Sequence, residues 1–181
     1  MRYLSTREAI TARWGVPDRE ARFEASEIVV EVLKYEPVKT GEGVVIYVTS
    51  TTGRNDAGHF NEFLVGLDGP HDEIADPLAR LSAFARGTPM HDGDTVPMDA
   101  PLWPGTDMRR WMATTQRKAV IGPSTIDGRH VEFMNAIPIY ESELEAKQRL
   151  GPDGFLAELR DNGLGFWIAG RPSLPRDIHQ R

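Results

Sequence analysis

The chain has 181 residues, 40% hydrophobic and 27% charged, with a formal net charge of -6 and no cysteine. That is enough apolar material for one sizeable core, and the lack of cysteine excludes disulfides, thiol nucleophiles and thiolate metal sites. The acid excess argues against a general nucleic-acid binder, which needs a basic surface to neutralise phosphates.

No stretch approaches the roughly 18 apolar residues of a membrane-spanning helix. Met1–Trp14, with Arg2, Arg7, Glu8 and Arg13, lacks the apolar core of a signal peptide. The expectation is a cytoplasmic protein with neither a membrane nor a nucleic-acid partner. In chain order, Ser5 with Glu8 forms a capping-box pattern that opens a helix presenting Ile10 and Trp14 on one face. Gly15 and Pro17 end it. From Arg22 to Lys34 the period changes to two, with Ile28, Val30 and Val32 alternating against Glu27, Val29 and Glu31, which predicts a half-buried strand. Pro37–Gly43 reads as a turn.

Val44–Thr49 is apolar on both faces and predicts a central strand covered on both sides. Thr51–Gly58 reads as a polar loop. Phe60–Leu67 predicts a returning, antiparallel strand, on which Glu62 shares a face with Phe60 and Leu64. Asp76-Pro77 starts a helix with Leu78, Leu81 and Phe84/Ala85 as its buried stripe, ended by Gly87. Pro89–Thr106 predicts a long ordered connection, pinned by Leu102 and Trp103, with one short strand at Thr95–Met98. Met108–Val120 is compatible with a strand pair or a helix.

The next stretch organises the rest. Val131, Phe133, Asn135 and Ile137 alternate with Glu132, Met134 and Ala136 as a strand, and Pro138 is expected to loosen its pairing. A helix is predicted from Glu141 to Leu150, with Ser142 and Glu145 as a capping box. Gly151-Pro152 breaks it. Asp153 caps a second helix carrying Phe155, Leu156 and Leu159, ended by Asn162-Gly163. Phe133, Ile137, Leu144, Phe155 and Leu159 are expected to share one core. The pattern is that of a single α+β domain over residues 1–170, a largely antiparallel central sheet flanked by helices. Residues 171–181 are expected to form a mobile tail.

Chemistry is sparsely signalled. His91-Asp92-Gly93-Asp94, with His130 and Glu132, is the best metal candidate, but no H-E-x-x-H occurs and the tetrapeptide has turn composition, so no metal is expected. Gly163-Leu164-Gly165 has no third glycine in register for a dinucleotide loop, and Gly122-Pro123-Ser124 lacks the context of a nucleophile elbow. No catalytic residue and no cofactor are assigned. Glu62 is the carboxylate to watch, because burial would raise its pKa. Arg109, Arg110 and Trp111, with Trp103, form the most interaction-like cluster; for both tryptophans the core is the stronger reading.

The run from Phe133, F-x-x-x-I-P-I-Y-x-x-E-L-x-x-K, followed by Gly151 and a short F-L-x-x-L helix, resembles the C-terminal signature of the suppressor-of-fused domain family. Val45–Leu67 resembles that family's strand ending in V-T-S, with the following loop and a glutamate-bearing strand, and Gly93–Val96 resembles its G-x-T-[IV] turn. Thr51, Thr52 and Gly53 stand where many members have glycine-methionine-serine. The resemblance covers most of residues 44–159 and implies a suppressor-of-fused-like fold and a protein-binding, non-enzymatic role. Bacterial members are similar to immunity proteins that neutralise a cognate polymorphic toxin by stoichiometric binding. The expectation is therefore a protein partner, a toxin, met through Arg54, Asn55, Asp56, Trp103, Arg109, Arg110 and Trp111. The other expectation is a small carboxylate-dependent hydrolase or ligand-binding enzyme built around Glu62.

Overall fold

A computed structural model describes residues 5–25, 27–53, 59–126 and 128–175. In chain order its elements are α1 (Thr6–Trp14), β1 (Arg19–Ala25), β2 (Ile28–Tyr35), α2 (Pro37–Thr40), β3 (Val45–Gly53) and β4 (His59–Leu67). Then come α3 (Ala75–Gly87), β5 (Thr95–Pro97), β6 (Arg110–Thr115), β7 (Ser124–Ile126), β8 (Arg129–Ile139) and α4 (Leu144–Asp161). The strands join one sheet in the order β1-β2-β3-β4-β8-β6-β5, with β7 also on β8. Only β4 and β8 run parallel; every other pairing is antiparallel. The fold is α+β, with a mostly antiparallel sheet.

Local chemistry explains most boundaries. Ser5 and Glu8 cap α1 reciprocally, the Glu8 N–H donating to Ser5 Oγ at 3.1 Å and the Ser5 N–H to Glu8 Oε2 at 2.7 Å. The expected single strand over Arg22–Lys34 is instead two strands of a hairpin, with Ala25 opposite Ile28. The apolar positions shift phase at Ser26-Glu27, from Ala21, Phe23 and Ala25 to Ile28, Val30 and Val32, but no glycine, proline, asparagine or aspartate stands there to signal a turn. Pro37–Thr40 closes into one helical turn, proline at its start and Gly41 left-handed at its end (φ 73°). Met108–Val120 contributes one strand, β6, where a strand pair or a helix was expected.

Helix α3 lies on one face of the sheet and turns Leu78, Leu81 and Ala85 inward, whereas Phe84, half of the expected stripe, is exposed. Its cluster takes in Tyr47, Phe63, Val65, Trp103, Trp111 and Met134. The opposite face is covered at its two ends by different elements. Ile10 and Trp14 of α1 pack with Ile46, Val48, Phe60, Val131 and Phe133, and Phe155 and Leu159 of α4 pack with Met112 and Ile137. The C-terminal stretch therefore feeds two cores and not one: Phe133 belongs to the first, Ile137, Phe155 and Leu159 to the second. Leu144 is only half-buried.

Pro138 does not end the pairing of β8: it stands opposite Trp111 and Ile139 opposite Arg110. Pairing with the parallel neighbour β4 has already ended at Asn135, so on that side Pro138 has no ladder to interrupt. The helix after it starts differently from expectation. Glu141–Glu143 is a 3₁₀ turn, and Glu143, in place of the expected Ser142–Glu145 box, accepts the Tyr140 N–H at 3.0 Å. Gly151 (φ 70°, ψ 173°) leaves helical geometry, so α4 is two helices meeting at a kink, as the Gly151-Pro152 break predicts; the Asp153 carboxylate, expected to cap the second, binds Arg117 at 2.6 Å instead.

The segment after α4 is docked as far as it is described, in contrast to the mobile tail expected from Arg171 onward. Arg171 and Glu143 are both fully buried and paired by two bonds of 2.6 and 2.8 Å. Arg171 also donates to the Pro138 carbonyl, and the Leu174 N–H donates to Glu143. Residues 176–181 lie outside the described residues.

Two measurements check these assignments. Phe155 is completely buried under α4, so Phe155→Ala is expected to cost about 3–5 kcal/mol in chemical denaturation. At the start of α3, Asp72 holds Lys34 at 2.8 Å, Arg19 at 2.9 Å and the Tyr47 hydroxyl at 2.9 Å. The Lys34 bond first, with the Tyr47 bond in support and against the cost of burial, keeps the Asp72 carboxyl below its ordinary pKa. A depressed carboxyl stabilises above its unfolded value of about 4, and that contribution is lost as pH falls through the folded value. The Tm difference between the wild type and Asp72→Asn should therefore be full near neutrality and shrink below about pH 4.

Candidate functional site

Glu62 sits where the sheet divides. Regular pairing of β3 with β4 covers Val45–Val48 against Leu64–Leu67. Beyond that, β3 follows β2 to Gly53 while β4 follows β8 back to His59. The Glu62 carboxylate fills the opening: Oε1 accepts the Thr51 N–H at 2.6 Å, and Oε2 accepts the Thr49 and Thr51 hydroxyls at 2.5 and 3.0 Å. Thr49 Oγ1 in turn accepts the Phe63 N–H at 2.9 Å. Side-chain oxygens thus replace the carbonyls that a continuous ladder would have offered, which satisfies buried backbone donors.

Helix α3 closes the opening. Ser82 donates to Glu62 at 3.3 Å, and Arg86 stands 3.6 Å from Glu62 Oε1, donates to the Thr51 carbonyl and lies 3.8 Å over the Phe60 ring. Burial pushes the Glu62 pKa up, against the opposing pull of Arg86 and the threonine bonds. Burial likewise pushes Arg86 down, opposed by Glu62. With 0% of its surface exposed, Glu62 offers a substrate no access. Its geometry is that of a structural keystone.

The residues expected to meet a partner are dispersed. Arg54, Asn55 and Asp56 lie outside the described residues, between the ends of β3 and β4. Trp103 (4% exposed) and Trp111 (0%) are core residues packed against α3, with the Trp111 indole N–H donating to the Pro77 carbonyl at 3.3 Å. At the surface, Arg109 is exposed and Arg110 is held by Glu141 through bonds of 3.0–3.2 Å. His59 pairs with His130 at one end of β8, and Arg110 pairs with Ile139 at the other. Nine steps along a strand span about 30 Å. The start of β4 at His59 and the arginine pair therefore belong to opposite ends of the sheet.

One concave feature is one the sequence reading did not anticipate. Between the α1 and α4 coverings, the sheet face is left open over a cleft of about 550 Å³. Its floor is a row across four strands: Ile46 and Gly66 are register partners, as are Leu64 and Asn135, and Asn135 and Thr114. Leu156 of α4 and Phe166-Trp167 wall one side, and Trp167 is 41% exposed. Glu42 and Lys118 face each other across the mouth at 3.6 Å. The signal was present in the sequence, because Asn135 is the one polar residue in the row Val131, Phe133, Asn135, Ile137.

The H-D-G-D segment forms a turn. Asp92 binds Arg117 and the Thr115 N–H, and Asp94 binds the His91 N–H. Among the described residues no group of three or more His, Asp or Glu is arranged to hold a metal.

A sequence profile of the Suppressor of fused protein (SUFU) family matches residues 27–172. The chain belongs to this family. Comparison with curated protein sequences gives no match. Among solved structures, the chain is similar to a SUFU homologue from Neisseria gonorrhoeae, with a TM-score of 0.68 at 17% identity over 91% of this chain and 92% of the other. It is also similar to a chain of the Sufu–Fu complex, with a TM-score of 0.65 at 13% identity over 91% and 88%. Drosophila Suppressor of Fused aligns with a TM-score of 0.55 at 17% identity, over 80% of this chain but 42% of that one. At these identities the likeness establishes the fold. The SUFU match accords with the order of the motifs from Val45 to Leu159.

The keystone role of Glu62 has a direct test. Glu62→Leu leaves Arg86 buried without its counter-charge and deprives the Thr51 N–H of its acceptor. Breaking a buried pair in this way costs about 3–5 kcal/mol, read as a lowered urea midpoint.

Proposed function

We propose that this SUFU-family protein acts by binding another protein stoichiometrically, and that its partner is a polymorphic toxin that it neutralises in the cytoplasm of a bacterium. The observation that carries the reading is that a chain of the same fold, matched over 88% of its length, stands in a complex named for two proteins, Sufu and Fu. The net charge of -6 suits a basic partner such as a nuclease, since complementary charge speeds encounter. The burial of Glu62 removes the best residue for a carboxylate-dependent hydrolase.

An interface of standard size takes about 800 Å² from each partner. Because the start of β4 at His59 and the arginine pair lie about 30 Å apart along β8, the interface is proposed to centre on one expected contact region and not on both. The arginine end, with Arg109 exposed beside the connection into β6, is one centre; the loop holding Arg54, Asn55 and Asp56 is the other.

The test is titration against the product of the neighbouring gene, followed by toxin activity. Protection should saturate near an equimolar ratio; protection that persists at a small fraction of the toxin concentration would show turnover and overturn the reading. The association rate should fall as salt rises from low ionic strength to about 0.15 M, where the Debye length is about 8 Å. Arg109→Glu should change the dissociation rate if the interface centres there, and leave it unchanged if the loop is the centre.

A further inference from the structure

We propose that the cleft on the α4 side of the sheet is a binding site for a small uncharged amphiphile, an apolar body carrying a carboxamide-like group. The cleft's size falls within the range of about 300–1,000 Å³ that holds small ligands. It is lined by Leu156 of α4 and Phe166-Trp167, by the approach to β3 at Glu42–Val44, and by Arg117, Lys118 and Val120 of the β6–β7 connection.

The floor determines the ligand class. Ile46 and Leu64 are apolar, but beyond Leu64 Asn135 and Thr114 stand side by side in register. The Thr114 hydroxyl is buried with no hydrogen-bond partner. The half-buried Asn135 amide also makes no hydrogen bond within the described protein. A buried polar group without a partner is unfavourable, so a donor–acceptor pair left open in an apolar cleft is a place for a ligand to complete. A carboxamide both donates and accepts and matches another carboxamide.

Charge places the ligand's polarity. Glu42, Lys118 and Arg117 stand with the mouth, and Lys118 and Arg117 are already paired there, Lys118 with Glu42 and Arg117 with Asp92 and Asp153. No charged side chain lines the floor row. An ionised group carried to Asn135 would lose its water without gaining a counter-ion, whereas a neutral amide would not.

The test uses three probes of one shape: para-propylbenzamide, para-propylbenzoate and para-propyltoluene. Trp167 at the rim is half-exposed while Trp14, Trp103 and Trp111 are buried, so its fluorescence reports occupancy. The full-length protein should bind the benzamide saturably and at least about ten-fold more tightly than the benzoate. Asn135→Leu keeps the side-chain volume and removes the amide; it should weaken the benzamide about three- to ten-fold and leave the toluene unchanged. Leu156→Trp, which fills the cleft from α4, should abolish binding of all three probes while the Tm stays near that of the wild type. Equal affinity for benzamide and benzoate, indifference to Asn135→Leu, or no saturable binding of any probe would each overturn the proposal. Toxin titration of the same variants is independent of this outcome, so the small-molecule site and the protein-binding reading fail separately.

Discussion

The architecture depends on the carboxylate of Glu62 in the opening between β3 and β4. A sheet that divides leaves donors on both inner edges without partners, and water cannot reach them beneath α3. Glu62 and Thr49 supply the missing acceptors, and Arg86 supplies the counter-charge that makes an ionised group tolerable there. Because β4 leaves β3 at this point, it is free to run beside β8 in the sheet's single parallel pairing. The C-terminal half of the chain is thus attached to the N-terminal half through a contact that requires the division.

That arrangement also decides which surfaces remain available. One face is occupied continuously by α3 and the connection through Trp103. The other is covered at its two ends by elements from opposite ends of the chain, α1 and α4. These coverings do not meet, and the gap between them falls on the row where β3, β4, β8 and β6 present Ile46, Leu64, Asn135 and Thr114. A single sheet therefore offers one sealed face and one face with a walled recess.

Much of this is legible locally. The α1 cap, the two central strands, α3 and the Gly151 kink each follow from residues within one or two turns of the feature, where propensity and period act. The β1–β2 turn is hard to read because only a one-residue shift of phase at Ser26-Glu27 marks it, with no glycine, proline, asparagine or aspartate. Glu62 was visible as a misplaced carboxylate, but Arg86, which decides its role, lies 24 positions later on another element. Arg171 was read as tail because nothing nearby announces its partner, 28 positions earlier. Trp103 and Trp111 show the reverse difficulty: their type suits an interface and a core equally, and only the position of α3 separates the two. Burial of charge is settled by tertiary pairing, which the sequence encodes only at long range.

The Glu143–Arg171 clamp has a consequence for synthesis. Glu143 terminates β8 and opens the way into α4, yet its counter-ion is among the last described residues of the chain. While the chain is being made at about 5–20 residues per second, the corner at Tyr140 can form only with a carboxylate that is either still hydrated or unpaired. The strap after α4, which also brings the Trp167 carbonyl and the Ala169 N–H to Asp68, arrives one helix later. The recess beside Phe166-Trp167 is consequently enclosed only after α4 has been made, and a nascent chain stalled before Arg171 would present α4 without its latch to whatever chaperone or protease met it first.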